Sequence, residues 1–116
     1  MQSILNVEEA LERLDGDHEL YAEVLQLFME DTPKLLDALK LEVRGHSSRE
    51  ATRLAHSIKS AAANVGASEV ARLAAQCELA GKNDRWEELP QLVFGLDEAM
   101  SMLMGTAHHW LDQHPL

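Results

Sequence analysis

Between Arg49 and Gly66 apolar residues stand at Ala51, Leu54, Ala55, Ile58, Ala62 and Val65, separated by one, three or four positions. That spacing draws one stripe down an α-helix, whereas a strand would alternate. The same period returns along the whole chain, and no stretch carries a strand signal. Stripes of this kind are buried by laying helices against one another. The helix period therefore fixes the class before any other feature is considered: all-α.

Six helical segments follow from caps and breakers. Asn6, with Glu9 three residues on, opens the first as a capping box, and Gly16 ends it. Asp17 caps the second, where Leu20, Val24, Leu27 and Phe28 form the expected buried stripe. Asp31 or Thr32 caps a third that has Pro33 at its first position and Leu35, Leu36, Leu39 and Val43 inward. Gly45-His46-Ser47-Ser48 is a turn, and Ser47 or Ser48 caps the segment that ends near Gly66. Ser68 caps the fifth, with Val70, Leu73, Ala74 and Cys77 inward and Gly81 at its close. Asp84 with Glu87 opens the last and longest, which carries Leu89, Leu92, Val93, Leu96, Met100, Leu103, Met104 and Ala107. Pro90 sits early there, so it implies a kink or a later start. Connections this short make neighbours antiparallel. The expectation is one domain over residues 1–116, an antiparallel up-and-down four-helix bundle with an additional N-terminal helix or helices. The short first helix would lie across it.

Charge narrows the partners. Residues 1–44 hold 11 acids and 4 bases, residues 45–82 hold 3 and 5, and residues 83–116 hold 6 and 1, for a net charge of −10. So acidic a chain disfavours nucleic acid. The middle segment is the exception, and its local positive potential suits a phosphoryl group or an acidic partner surface. The chain has no apolar run of membrane-spanning length and no evident signal peptide at its start. The lone Cys77 cannot form an internal disulfide, and it reads as a small core residue in a cytoplasmic protein. His108, His109 and His114 lack the i, i+4 pairing of a helical metal site, so no metal and no cofactor are expected. A nucleotide-binding loop is also missing from the letters, so autokinase activity is not expected.

The basic segment carries a histidine turned away from its own stripe. At roughly 100° per residue, His56 falls about 150° from the centre of the apolar face and should meet water. Arg49, Thr52, Lys59, Ser60 and Ala63 surround it on the wheel, all small or basic. An exposed imidazole with small neighbours and a lysine one turn on can accept and hold a charged group. The residues Ala55-His56-Ser57-Ile58-Lys59-Ser60-Ala61-Ala62-Ala63-Asn64-Val65-Gly66-Ala67 closely resemble the signature of histidine-containing phosphotransfer (HPt) domains, roughly A-H-x-L-K-G-x-x-x-N-x-G-A. Weaker agreement in helix order and spacing runs from about Asn6 to Leu103.

The resemblance implies an intermediate in a His–Asp phosphorelay. His56 would be the phosphoacceptor, with the group on the distal nitrogen Nε2. Histidine suits this role because an imidazole, with an ordinary pKa of about 6.5, is largely neutral and nucleophilic at cellular pH. Lys59 would neutralise charge on the transferring oxygens. Glu78 stands where the family often has Gln or Glu near the imidazole. Either it bonds to Nδ1 and orients the ring, or it is an ordinary exposed glutamate. Lys82, at a frequently basic family position, is a second phosphate contact. Asn64 and Gly66 shape the following turn.

The departure is Ser60, where the family has glycine. A helical side chain leans over the preceding turn, so Ser60 either crowds the approach to His56 or donates a hydrogen bond to phosphate. The partners implied are response-regulator receiver domains and a hybrid sensor kinase, met by a monomer through Arg49, Thr52, Arg53, Lys59, Ser60, Ala63 and Lys82. Magnesium would be held by the receiver. The alternative is a helical adaptor that binds a receiver or kinase without phosphotransfer. An initiator-like Met1 suits a free-standing protein, and a fragment of a hybrid kinase would begin equally well so.

Overall fold

The computed structural model describes residues 3–114, so the outermost residues of the 1–116 span lie outside the described residues. Five helices form: α1 (Val7–Arg13), α2 (His18–Arg44), α3 (Ser48–Val65), α4 (Ser68–Lys82) and α5 (Leu89–Gln113). No strand occurs among the described residues. Helices α2 to α5 pack in a ring, each on the next, and α5 closes against α2. α1 lies on α2 and α3. This is the expected bundle with one additional N-terminal helix.

The second and third expected helices are one. α2 runs unbroken for 27 residues with Pro33 inside it. At 1.5 Å per residue that is about 40 Å, and it matches the 41 Å long axis of the molecule. The core row Tyr21, Leu25, Phe28, Thr32, Leu36, Leu39 and Val43 keeps helical phase straight through Pro33. Thr32 is buried in that row rather than capping anything. Proline lacks an N–H for the Met29 carbonyl and crowds the preceding turn, and in-phase burial on both sides outweighs that penalty.

The buried face of α2 is also displaced by one residue from expectation. Leu20 and Leu27 are exposed, and Tyr21 and Leu25 are buried in their place. Tyr21 takes the interior because its phenol finds an acceptor there, donating to the Val65 carbonyl at 2.7 Å. Its ring also meets Trp110 edge-on at 5.0 Å.

α3 buries Ala51, Leu54, Ala55, Ile58, Ala62 and Val65, the six residues of the sequence stripe. It ends at Gly66, whose φ of +85° lies in the left-handed region. The Ala67 N–H donates to the Ala62 carbonyl at 2.9 Å and the Gly66 N–H to Ala63 at 3.2 Å, which is a Schellman closure. A Cβ at residue 66 would collide with the Asn6 carbonyl oxygen. The Asn6 N–H donates to the Gly66 carbonyl at 2.8 Å, and the Asn6 side chain caps α1 by accepting from the Glu9 N–H at 3.1 Å. Glycine at 66 thus ends α3 and seats α1 together.

Ser47, one of the two residues expected to cap α3, does precede it, although without a side-chain cap bond, while the expected caps of α4 and α5 are displaced. Ala67, not Ser68, precedes α4, because the chain turns at Gly66 and restarts at once. Ser48 is the first residue of α3, and its hydroxyl lies 2.6 Å from the Gly81 carbonyl and 2.7 Å from Asp84 Oδ1. Asp84 is therefore tied to α3 rather than opening α5. α5 takes the later start: it begins at Leu89, with Pro90 in its first turn. Gly81 does not end α4, which continues to Lys82. A Cβ at Gly81 would stand 2.6 Å from Thr52 Oγ1, so α3 and α4 meet closely there.

Candidate phosphotransfer site

Small residues let α3 and α4 approach. Ala51, Ala55 and Ala62 on one helix and Ala74, Ala80 and Gly81 on the other are all buried. A carboxylate on α4 can then reach beneath a side chain on α3, and Glu78 does so, with its side chain only 10% exposed. His56, above it, is 57% exposed. The His56 Nδ1 to Glu78 Oε2 distance is 2.9 Å. Lys59 Nζ donates to Glu78 Oε1 at 2.7 Å, and Lys82 Nζ stands 3.8 Å from Oε2. One buried carboxylate therefore gathers the histidine and both lysines singled out in the sequence.

Burial alone would raise the Glu78 pKa. The hydrogen bonds from Lys59 and His56, and the charge of the two groups, outweigh it and hold Glu78 below the usual carboxylate value. An ionised carboxylate only accepts, so the proton between it and the ring sits on Nδ1. In the neutral ring the lone pair is then on Nε2, at the solvent side. The arrangement is a nucleophilic nitrogen with its tautomer set from below and cations at hand.

The other residues of the expected surface are less alike. Arg49, Ser60 and Ala63 are exposed. Arg53 is exposed but holds Glu50 with Nε at 3.1 Å and Nη2 at 2.9 Å, which offsets its charge. Thr52 is half-buried, donates to the Ser48 carbonyl at 2.7 Å and faces Gly81, so it belongs chiefly to the α3–α4 contact. Cys77, next to Glu78, is buried, and burial pushes its thiol pKa up to about 12.

One cation went unread in the sequence. Arg13, at the end of α1, donates through Nη2 to the Ala63 carbonyl at 2.8 Å and adds positive charge at the last turn of α3. It is remote in sequence and no spacing pointed to it; only the seating of α1 on Gly66 brings it there.

The Hpt domain family model matches residues 23–106, from within α2 to late in α5. The chain belongs to the Hpt domain family, and its role lies in two-component phosphorelay. Proteins of this family are phosphotransfer intermediates rather than kinases, and they interact with receiver domains and histidine kinases. Two solved structures are closely similar in fold. One is histidine-containing phosphotransfer protein B from Pseudomonas aeruginosa PAO1, at 16% identity and a TM-score of 0.89, covering 97% of this chain and 98% of that one. The other is the HPT domain of a sensor hybrid histidine kinase from Shewanella, at 18% identity and 0.84, covering 95% of each chain. No curated protein matches the chain. Among the described residues no helix is long and apolar enough to cross a membrane.

Proposed function

We propose that His56 accepts a phosphoryl group from the aspartyl phosphate of one receiver domain and passes it to the aspartate of another. The observation that carries this reading is the buried Glu78 on Nδ1 of a His56 side chain that is itself more than half exposed. The Nε2 lone pair attacks phosphorus and forms the N–P bond as the P–O bond to the receiver aspartate breaks. That carboxylate leaves with the bonding pair. Nδ1 keeps its proton, so the ring becomes cationic, and Glu78 stabilises it as the carboxylate of a catalytic triad stabilises imidazolium. Lys59 and Lys82 turn from Glu78 to the phosphoryl oxygens and offset their charge. Delivery to the second receiver reverses these steps, and magnesium is supplied on the receiver side.

The direct experiment is label transfer from a phosphorylated receiver domain, worked up in alkali because phosphohistidine is acid-labile. Label on the wild-type chain and none on His56→Gln is the expected result. A receiver that binds without leaving alkali-stable label would replace this reading with the adaptor.

A further inference from the structure

The outer face of α2 carries an ordered apolar row that the bundle does not use. Leu20, Leu27 and Leu41 are 41%, 58% and 64% exposed. Their separations of 7 and 14 residues set them on one line along the helix, and Lys34 completes the heptad series. At about 100° per residue, that line lies roughly opposite the core row of Tyr21, Leu25, Phe28 and Leu36. The exposure of all three leucines shows that no neighbouring helix covers them. A second line runs beside the leucines: Glu19, Glu23, Glu30 and Asp37, all exposed. Glu23, Gln26, Leu27 and Glu30 line a shallow depression where the two rows meet. α3, which carries His56, has no large exposed apolar residue.

A leucine row at heptad spacing with a flanking row of one charge is the surface on which a helix of opposite flanking charge seats. We propose that the outer face of α2 docks a basic amphipathic helix of a second protein, with leucines against Leu20, Leu27 and Leu41 and basic side chains against Glu19, Glu23, Glu30 and Asp37. Lys34 interrupts the leucine row, so the partner bears an acceptor such as asparagine opposite it, and this polar pair fixes the register. A second copy of this chain is the poorer occupant, because a two-fold contact would set these carboxylates against themselves. The row extends about 31 Å from Leu20 to Leu41, which is ample for three heptads. Docking there leaves the α3–α4 side open, so a tethered chain retains an accessible His56. The proposal stands apart from the phosphotransfer reading and does not need it.

The test uses the whole chain and a fluorescein-labelled three-heptad peptide. The peptide has leucine along one face, lysine on both flanks and one asparagine in the leucine row. Anisotropy titration is expected to give saturable one-to-one binding. Leu27→Ser and the pair Glu23→Lys, Glu30→Lys should each weaken it on the order of tenfold. Phe94→Ser, which removes an exposed apolar residue of α5, should leave binding unchanged, and a glutamate-flanked peptide should not bind. All three α2 changes are at exposed positions, and circular dichroism checks each fold. Leu41→Ser gives an independent reading of the same row.

Equal binding by wild type and Leu27→Ser, loss on Phe94→Ser, or no binding at all would overturn the proposal. So would a concentration-dependent dimer that Leu27→Ser abolishes, since the occupant would then be a second copy.

Discussion

The α3–α4 half and the α2–α5 half of this bundle are built by different means. α3 and α4 meet through alanines and a glycine, so their backbones lie close and a buried carboxylate can span them. α2 and α5 are held apart by larger side chains, among them Tyr21, Leu25, Phe28, Leu96, Met100 and Leu103, all buried. Lys40 and Asp97 add an ion pair across that seam at 3.1 Å. The first half is basic around an exposed ring; the second is acidic and carries the large exposed apolar residues other than Leu79 of α4. Close packing of small residues is thus what lets one helix supply the proposed nucleophile and the next the carboxylate bonded to it. The wider half supplies the long axis and most of the large core side chains.

If chemistry resides only in the thin half, changing its surface should abolish function without touching the fold. His56→Gln is expected to remove all phosphoryl acceptance while leaving helicity and melting temperature nearly unchanged, because the ring is more than half exposed. Alkaline label assays and thermal melts read the two together. Retained label, or a large drop in melting temperature, would break the separation of the halves.

In the proposed mechanism Glu78 joins reaction and packing, so its replacement should touch both. Glu78→Gln keeps an oxygen for the Nδ1 proton but loses the charge that stabilises the ring cation. Transfer is expected to slow by roughly 10–100-fold, in line with loss of a supporting partner. Stability should also change with pH in a defined direction. The folded pKa of Glu78 is lowered, below the ordinary carboxylate value of about 4.3. Its contribution is therefore present above that ordinary value and lost as pH falls through the depressed folded pKa. The stability gap between wild type and Glu78→Gln, measured by urea unfolding, should narrow as pH falls through this range. A gap that widens on acidification would mean Glu78 is not held ionised by its neighbours.

Legibility in the sequence divides along the same line. α3 was readable because its six buried residues are flanked on both sides by polar or very small ones, which leaves a single phase possible. The site followed from the segment around His56 and from the interval to Glu78. α2 is not readable in the same way, because apolar residues occupy two of its faces: Leu20 and Leu27 outside, Tyr21 and Leu25 inside. Pattern alone cannot choose between two apolar faces, and the choice depends on the Val65 carbonyl that receives the Tyr21 hydroxyl. Asp31-Thr32-Pro33 then imitates a helix start, although Thr32 is buried in an unbroken core row. Asp84 likewise does not open α5, because its carboxylate meets the Ser48 hydroxyl, distant in sequence.

Pro33→Ala tests this account of α2 directly. Inside a continuous helix the substitution restores a donor for the Met29 carbonyl and relieves crowding of the preceding turn. Proline is about 3 kcal/mol less favourable than alanine in a helix interior, and relaxation around it lowers the expected gain to about 1–2 kcal/mol in urea unfolding. At the first position of a separate helix proline is well suited, so replacement there would be neutral or unfavourable. A gain supports the single long helix; a loss would restore two shorter ones.

The smallest effect belongs to Ser60, and it bears on how open the thin half is. Ser60 is exposed one turn beyond His56, and a helical side chain leans towards the turn before it. Ser60→Gly should speed transfer from a receiver a few-fold by clearing the space over the ring. It should also lower stability by about 0.5–1 kcal/mol, the usual penalty of glycine within a helix. Stopped-flow transfer and urea unfolding measure the two effects separately. Slower transfer after the change would make the hydroxyl a phosphate ligand, adding a donor to Lys59 and Lys82 rather than an obstruction. Unchanged transfer would place the receiver's approach away from this turn, over the α4 side of His56, where Lys82 stands.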